Sequence, residues 1–402
     1  MSHKPTITDS LEFPSESRLP QISFGIGAAG LLTSAIGYFV NADQFFFSYI
    51  VSFTFFTGIA LASLILIMIH HITKSSWGTV MRRIPEVFAS NLWIWSIFFI
   101  PIFFGIHNLF HWSHPELMDP ASTQFDTILG GKAGYLNVTF FVIRQFIYFI
   151  IWGVLGRKLY KTSIELDNSG DWGLTVLMRK ISAPGILLFS LSVAFASFDW
   201  MMSLDPHWFS TMFGVYFFSI IFQALFPVLI IIILMLHRRG LLTNTIRSVH
   251  IYDLGAWFFA FTIFYAYIAF SQFMLIYYAN IPEETLWFYN RLDGGYQYIL
   301  YGTLILRFML PFFLLLNRES KKNTNLLLIS SIVVLFIHYF EIYLIAMPAL
   351  SKELNLSWID LATFLGLGGV FFGLFFNKFK KESMVPKNDP TMEECLSKSY
   401  HQ

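Results

Sequence analysis

Charge is what this sequence has least of. Asp, Glu, Lys and Arg make up 13% of the 402 residues, where a soluble domain carries about a quarter. A water-soluble chain of this length needs a charged surface that is not there, so a soluble enzyme is excluded. Cysteine is nearly absent too. A single thiol, Cys395, forms no internal disulfide, holds no iron–sulfur cluster and builds no cysteine zinc site. Redox-metal chemistry would need other ligands or other chains. Met1 to Pro20 is polar and lacks the apolar core of a cleavable signal peptide, so the first helix is expected to insert as it stands. The net charge of +1 is segregated into loops and carries no sign of nucleic-acid binding.

What fills the chain instead is apolar. Hydrophobic residues are 55% of it, and 47 residues are phenylalanine. Runs of about 20 apolar residues recur along most of the length, as a hydrocarbon core roughly 30 Å thick demands of each helix in a bilayer. This predicts an all-α integral membrane protein of about ten transmembrane helices. They fall at 21–40, 46–71, 86–111, 133–157, 181–203, 207–237, 248–279, 295–317, 325–348 and 356–378. Lysine and arginine orient the chain. With a cytoplasmic N-terminus, 21 of the 26 fall in cytoplasmic segments and only Lys132, Arg291 and Lys352 in outer loops, while Arg144 and Arg307 lie inside helices. That asymmetry places both termini on the cytoplasmic side. The parts are then a cytoplasmic segment 1–20, a membrane domain 21–378, and a polar tail 379–402 expected to be exposed and flexible.

The membrane domain reads as a duplication. Helix 2 ends Leu66-Ile67-Met68-Ile69-His70, and helix 6 ends Ile233-Leu234-Met235-Leu236-His237. Tyr135 precedes Arg144 by nine residues in helix 4, as Tyr298 precedes Arg307 in helix 8. Asp199 precedes Pro206 by seven, as Glu341 precedes Pro348. Two parallel-repeat four-helix bundles are therefore expected, helices 2–5 (46–203) and helices 6–9 (207–348), with helices 1 and 10 peripheral. An even number of helices per unit relates the two by an axis along the membrane normal.

An ionisable residue inside a span costs at least about 2.5–3.5 kcal/mol on insertion scales, so it faces the protein interior or a watery cavity. Each unit has one arginine and one acid, Arg144 with Asp199 and Arg307 with Glu341. They read either as structural ion pairs or as proton carriers tuned by a nearby arginine. His338 and Glu341, three residues apart on one face, could form a short relay. At the outer end of helix 3, His107, His111 and His114 share a helical face at i, i+4, i+7. A zinc site there lacks a carboxylate or cysteine to complete it. A haem would need a histidine on a second helix, for which His338 alone lies at about that depth. No metal site is assigned. His70 and His237 mark the inner membrane edge. In Asp205-Pro206-His207 the acid suits a helix N-cap and the proline the first helical position. Trp93, Trp95, Trp112, Trp200, Trp208 and Trp287 suit interfacial belts.

The stretch from Ser197 to Tyr216, SFDWMMSLDPHWFSTMFGVY, closely resembles a signature of the second quinone-binding-type membrane subunit of bacterial alternative complex III. That subunit belongs to the polysulfide-reductase-like family of quinol-interacting membrane proteins. The helix plan extends the resemblance to essentially the whole chain. It implies a quinol:electron-acceptor (cytochrome c) oxidoreductase complex in the bacterial inner membrane, replacing the cytochrome bc-type complex. This chain would contribute a quinone-site-type bundle, a proton path, or both, and hold no haem or iron–sulfur cluster of its own. The implied partners are a paralogous membrane subunit, an iron–sulfur protein on the outer face, multihaem cytochrome c subunits and a terminal oxidase. The resemblance also implies a quinol pocket at the outer side of the first bundle, where His107, His111 and Asp199 fall. Such a complex has two subunits of this kind, and the other one can hold the working quinol site. Asp199, Glu341, His338, Arg144 and Arg307 would then matter more, as a proton path or a scaffold. Read from residues alone, parallel repeats and buried charges also fit an ion or solute transporter, against which stands the lack of Gly/Pro-broken half-helices paired between the repeats.

Overall fold

The structure, a computed structural model, describes residues 9–398, and among these it is helical with no strand; one isolated bridge joins Glu12 to Ser383. Ten helices are long and apolar enough to cross a membrane: α1 (Leu19–Val40), α2 (Ala42–Thr73), α3 (Arg83–Phe104), α4 (Val138–Ser169), α5 (Gly173–Leu204), α6 (Phe213–Arg238), α7 (Ser248–Ala279), α8 (Tyr296–Leu315), α9 (Thr324–Ala349) and α10 (Trp358–Phe379). The chain is thus a multi-pass membrane protein.

Side chains of the connections tie together two faces. On the face that holds Asp9 and Lys398, the two ends of the described residues, Asp9 accepts from the backbone of Asn244 and Thr245 at 2.8 and 2.7 Å. There too Arg82 donates to Asp389 at 2.5 Å, and Asp167 accepts from the Lys387 amide at 2.8 Å. On the opposite face Lys132 Nζ donates to the carbonyl of Pro206 at 2.6 Å, and Trp208 Nε1 to that of Glu284 at 3.1 Å.

Helix α2 is apolar all round and buried along nearly its whole length, as such a helix must be to leave the lipid to others. Helix α6 is the second buried helix and meets α2 where Ile221 packs against Gly58. Helices α1 and α10 press backbone to backbone. A Cβ on Gly30 would come within 2.4 Å of the Gly366 nitrogen, the close approach that small residues permit between helices in lipid.

Several boundaries differ from the sequence reading. The stretch 86–111 is not one helix. It breaks into Arg83–Ser90, Leu92–Trp95, a 3-10 turn Ser96–Phe99, Ile100–Phe104 and Ile106–Leu109. Pro101 has no N–H to return to the carbonyl four residues back, so the ladder restarts with proline in a first turn. Helix α4 starts at Val138, capped by Asn137, and continues past the basic cluster at 157–161 to Ser169, where Gly170 turns left-handed at φ 68°. Arginine and lysine are good helix formers, so the edge of the hydrocarbon does not end the helix. Asp205 and Pro206 cap nothing, because α6 begins at Phe213 and residues 205–212 form an irregular turn. The tail is not a loose extension. Met384, Val385, Met392, Cys395 and Leu396 are all buried.

Candidate functional site

Two buried polar clusters dominate the interior, each built around one of the intramembrane arginines. In the first, Arg144 on α4 grips Asp199 on α5 with both prongs, Nε to Oδ2 at 2.9 Å and Nη2 to Oδ1 at 2.8 Å. Gln145 Nε2 (3.2 Å) and the Tyr148 hydroxyl (3.0 Å), also on α4, donate to the same Oδ2. Three of these four donors crowd onto Oδ2, which has two lone pairs to share among them, while Oδ1 takes one. The third arm of the guanidinium, Nη1, donates to the Tyr135 carbonyl at 2.9 Å, and the Tyr135 ring lies 3.9 Å beneath it. Gln145 is itself held by Trp200, whose Nε1 donates to its Oε1 at 2.7 Å.

In the second cluster Arg307 on α8 reaches Glu341 on α9 through Nη1, and the same Nη1 donates to Nδ1 of His338 at 3.0 Å. Its Nε donates to Gln223 Oε1 and its Nη2 to the Ile220 carbonyl, both at 2.7 Å and both on α6. Tyr265 of α7 donates to Glu341 at 2.9 Å, and Tyr216 of α6 donates to the same oxygen. A guanidinium has no acceptor, so His338 Nδ1 must accept and the ring proton sits on Nε2. That Nε2 is fully buried and has no hydrogen-bond partner; its ring packs against Phe55 with centroids 5.0 Å apart. The backbone also departs from the α-helix here, since Thr303–Met309 around Arg307 is π-helical, a form frequent at functional sites.

The sequence therefore pairs each acid with the right arginine, and the structure brings His338 to the second pair. It does not bring His107 and His111 to Asp199. Both are exposed on the opposite face, in the broken region after α3, and lie among His114, Ser113 and His207. None of the hydrogen bonds made by Asp199 involves either histidine. Because the helix stops at Leu109, the i, i+4, i+7 face never forms. His338 is buried in the second cluster rather than facing the helix-3 histidines. Nor does the tyrosine spacing carry the same role in both halves. Tyr135 stacks on Arg144, but Tyr298 is 72% exposed, and Tyr265 takes its place at 4.4 Å from Arg307.

Other assignments shift with burial. Trp95, Trp112, Trp200, Trp208 and Trp287 are core residues, and of the six belt candidates only Trp93 is exposed. Arg82 and Arg83 are not loop charges at the surface. They flank buried Glu86 at 2.9 and 2.6 Å. Arg291 is buried as well, over the Trp287 ring at 3.5 Å and donating to the carbonyls of Trp287, Leu344 and Ile345. Burial drags its pKa down to about 9. At the surface of the same face, the hydrogen bond from His207, at 2.7 Å, holds the Asp126 carboxyl below its usual value.

A groove of about 540 Å³ opens between the broken α3 and α4. Phe99, Phe103, Phe146 and Phe149 line it, and Gln145 supplies its buried polar end. It meets the first cluster at the weakest of that cluster's four bonds to Asp199. Among the described residues no three His, Cys, Asp or Glu side chains gather as metal ligands would. Comparison with protein-family models and with curated proteins found no match to this chain.

Proposed function

We propose that this chain is a membrane subunit of a quinol-oxidising respiratory complex of the alternative complex III kind, with both termini in the cytoplasm. The observation that carries this reading is the groove between α3 and α4. Apart from Ser96 and Arg157 its lining is apolar and aromatic, as an isoprenoid quinone needs, and it includes Gln145, one bond from Asp199. Quinol oxidation yields two protons and two electrons, and the electrons must pass to a metal centre on a partner chain. The groove's own residues can receive the head group and a proton. Oδ2 of Asp199 already carries three donors, so it can accept another only if one lets go. Gln145, at 3.2 Å the longest of the four, is the one that can. A quinol hydroxyl then takes its place on Oδ2, while Trp200 keeps the displaced amide in position.

Further support comes from the second cluster, which repeats the acid–arginine pairing in helices 6–9 and so favours a duplicated four-helix unit. We read that cluster as the proton-handling counterpart. The excess of lysine and arginine at the face of the termini supports the orientation. The transporter reading is weaker, because the break in α3 has no counterpart in α7, which runs uninterrupted from Ser248 to Ala279.

The test is purification through a tag on this chain, followed by an optical spectrum and quinol addition. A c-type haem spectrum reduced by quinol, with a photoreactive quinone crosslinked to α3 or α4, is the expected result. A colourless chain without quinol chemistry would overturn the respiratory reading. Crosslinking confined to a partner subunit would overturn the quinone site and leave the proton role.

A further inference from the structure

At the face of the chain ends, α2 finishes in a second polar pocket that the reading above does not use. His70 and His71 in its last turn are buried, 4% and 7% exposed. Neither nitrogen of His70 has a hydrogen-bond partner, and Nε2 of His71 has none. Nε of Arg179, on α5, is likewise buried and unpartnered. All three residues line one cavity of about 260 Å³, together with Lys74, Arg82, Thr175 and Thr391. Four unpartnered polar atoms on three residues lining one cavity are too many to be incidental, since buried polar groups are almost always paired.

The chemistry of that lining is one-sided. Arginine and lysine donate only, and a neutral imidazole offers one N–H and one lone pair, with the N–H free to take either nitrogen. The lone carboxylate of the lining, Asp389, is already committed. It accepts from Arg82 at 2.5 Å, and from the Thr391 hydroxyl and amide at 2.6 and 2.8 Å. What remains is a lining in which donors outnumber acceptors, with surplus positive charge from Arg179 and Lys74, beside the first turns of α5, the end of a helix that favours anions. A cavity needs on the order of 10–15 Å³ to hold one water, so this one admits a much larger group.

We propose that this pocket binds a phosphate group, held by Arg179, His71, His70 and Lys74. The phosphate comes from the head group of an acidic lipid or from free phosphate. The lining is shared by α2, α5 and the tail, so the bound anion also fastens Thr391 and its segment against the bundle. Basic pockets between helices on one side of a membrane are suited to acidic head groups.

The full-length protein in nanodiscs tests this by native mass spectrometry and by the protease resistance of the tail. One arm titrates inorganic phosphate into phosphatidylcholine discs. The other replaces part of the phosphatidylcholine with phosphatidylglycerol and omits phosphate. Saturable binding in the first arm identifies free phosphate as a ligand, and retention of phosphatidylglycerol only in the second identifies the lipid. Either outcome should be accompanied by a more resistant tail. Arg179→Gln and His71→Gln should each weaken binding about tenfold or more, as loss of a charge-assisted hydrogen bond does, whereas Arg239→Gln, outside the pocket on the same face, should not. Two variants keep the test decisive if one fails to fold. No binding in either arm, or equal binding by wild type and both pocket variants, overturns the proposal.

Discussion

Asp199 stands one residue before the end of the α-helical run Gly173–Trp200, and Glu341 stands five before the end of Thr324–Ala346. At 1.5 Å per residue, the second acid lies about 6 Å deeper from its helix end. Their arginines follow suit. Arg144 is still close enough to the connection before α4 to donate to the Tyr135 carbonyl. Arg307 has no contact of that kind and spends its donors on Ile220, Gln223, His338 and Glu341 inside the bundle. The two pairs also close differently. The first crowds three donors onto one carboxylate oxygen and has a groove one removable bond away. The second leaves a buried imidazole N–H without an acceptor. Similar residue types, placed at different depths, give one pair that faces a route from the lipid and one that faces the interior.

The hardest way to break this comparison is to remove the deeper acid. Glu341→Ala leaves Arg307 buried and uncompensated, which should cost about 3–5 kcal/mol and show as loss of folded protein in a thermal melt. Asp199→Ala should cost less, about 2–3 kcal/mol, because Arg144 keeps the Tyr135 carbonyl and two aromatic faces near the opposite surface. Equal losses in the two melts would show that depth does not set the cost. The functional split runs the other way. Asp199→Asn should abolish quinol turnover in an assembled complex, whereas Glu341→Gln should slow proton release more than head-group binding. Full turnover by the Asp199→Asn complex would remove the acid from the mechanism.

The tail sharpens the comparison at the face of the chain ends, since the halves hold it by different means. The second half uses Asp253 on Lys398 and Arg247 on the carbonyl of Leu396. The first uses Arg82 on Asp389. Burial pushes the Asp389 carboxyl up, but the Arg82 charge and the bonds from Thr391 outweigh it and hold it at about 2. A folded value depressed below the ordinary 3.8 means this anchor contributes fully above about pH 4 and is lost as pH falls toward 2. Asp389→Asn should therefore loosen the tail at neutral pH by about 1–2 kcal/mol, read by hydrogen exchange over 384–396. It should also flatten the acid dependence below pH 4. Unchanged exchange in the variant would mean the other anchors suffice.

How much of this was legible in the sequence follows from what each signal depends on. The ten spans were readable because hydrocarbon thickness imposes a length that needs no tertiary information. Arg144, Asp199, Arg307 and Glu341 stood out because a charge in a span is costly wherever it sits. Gln145, Tyr148, Gln223, Tyr216 and Tyr265 did not, since neutral polar residues in an aromatic-rich chain carry no such mark. Only the fold shows them converging on the acids. Arg144 and Tyr148 are i, i+4 neighbours, a spacing that could have flagged one of them. The histidine face at 107–114 failed because Pro101 and Gly105 interrupt the helix that the spacing assumed. The tail failed because its buried residues are scattered singly among charges, with no period to read.

The smallest test is the most specific. Tyr148 and Tyr265 each donate one hydroxyl to the acid of their own cluster, at 3.0 and 2.9 Å. Replacing either with phenylalanine removes one bond without leaving a buried charge, so each should cost about 1 kcal/mol in a melt. What separates them is the remaining set of donors. Without Tyr148, Asp199 still has Arg144 and Gln145, and Oδ2 has one donor fewer crowding it beside the groove. On the proposed quinol reading, the head group then binds without displacing Gln145, so Tyr148→Phe should lower the KM for quinol. Glu341 keeps Arg307 and Tyr216 when Tyr265 is lost, and it does not line the α3–α4 groove, so Tyr265→Phe should leave KM unchanged. The same shift in both variants, or in neither, would mean that the crowding of donors on Asp199 Oδ2 does not govern access to the first cluster.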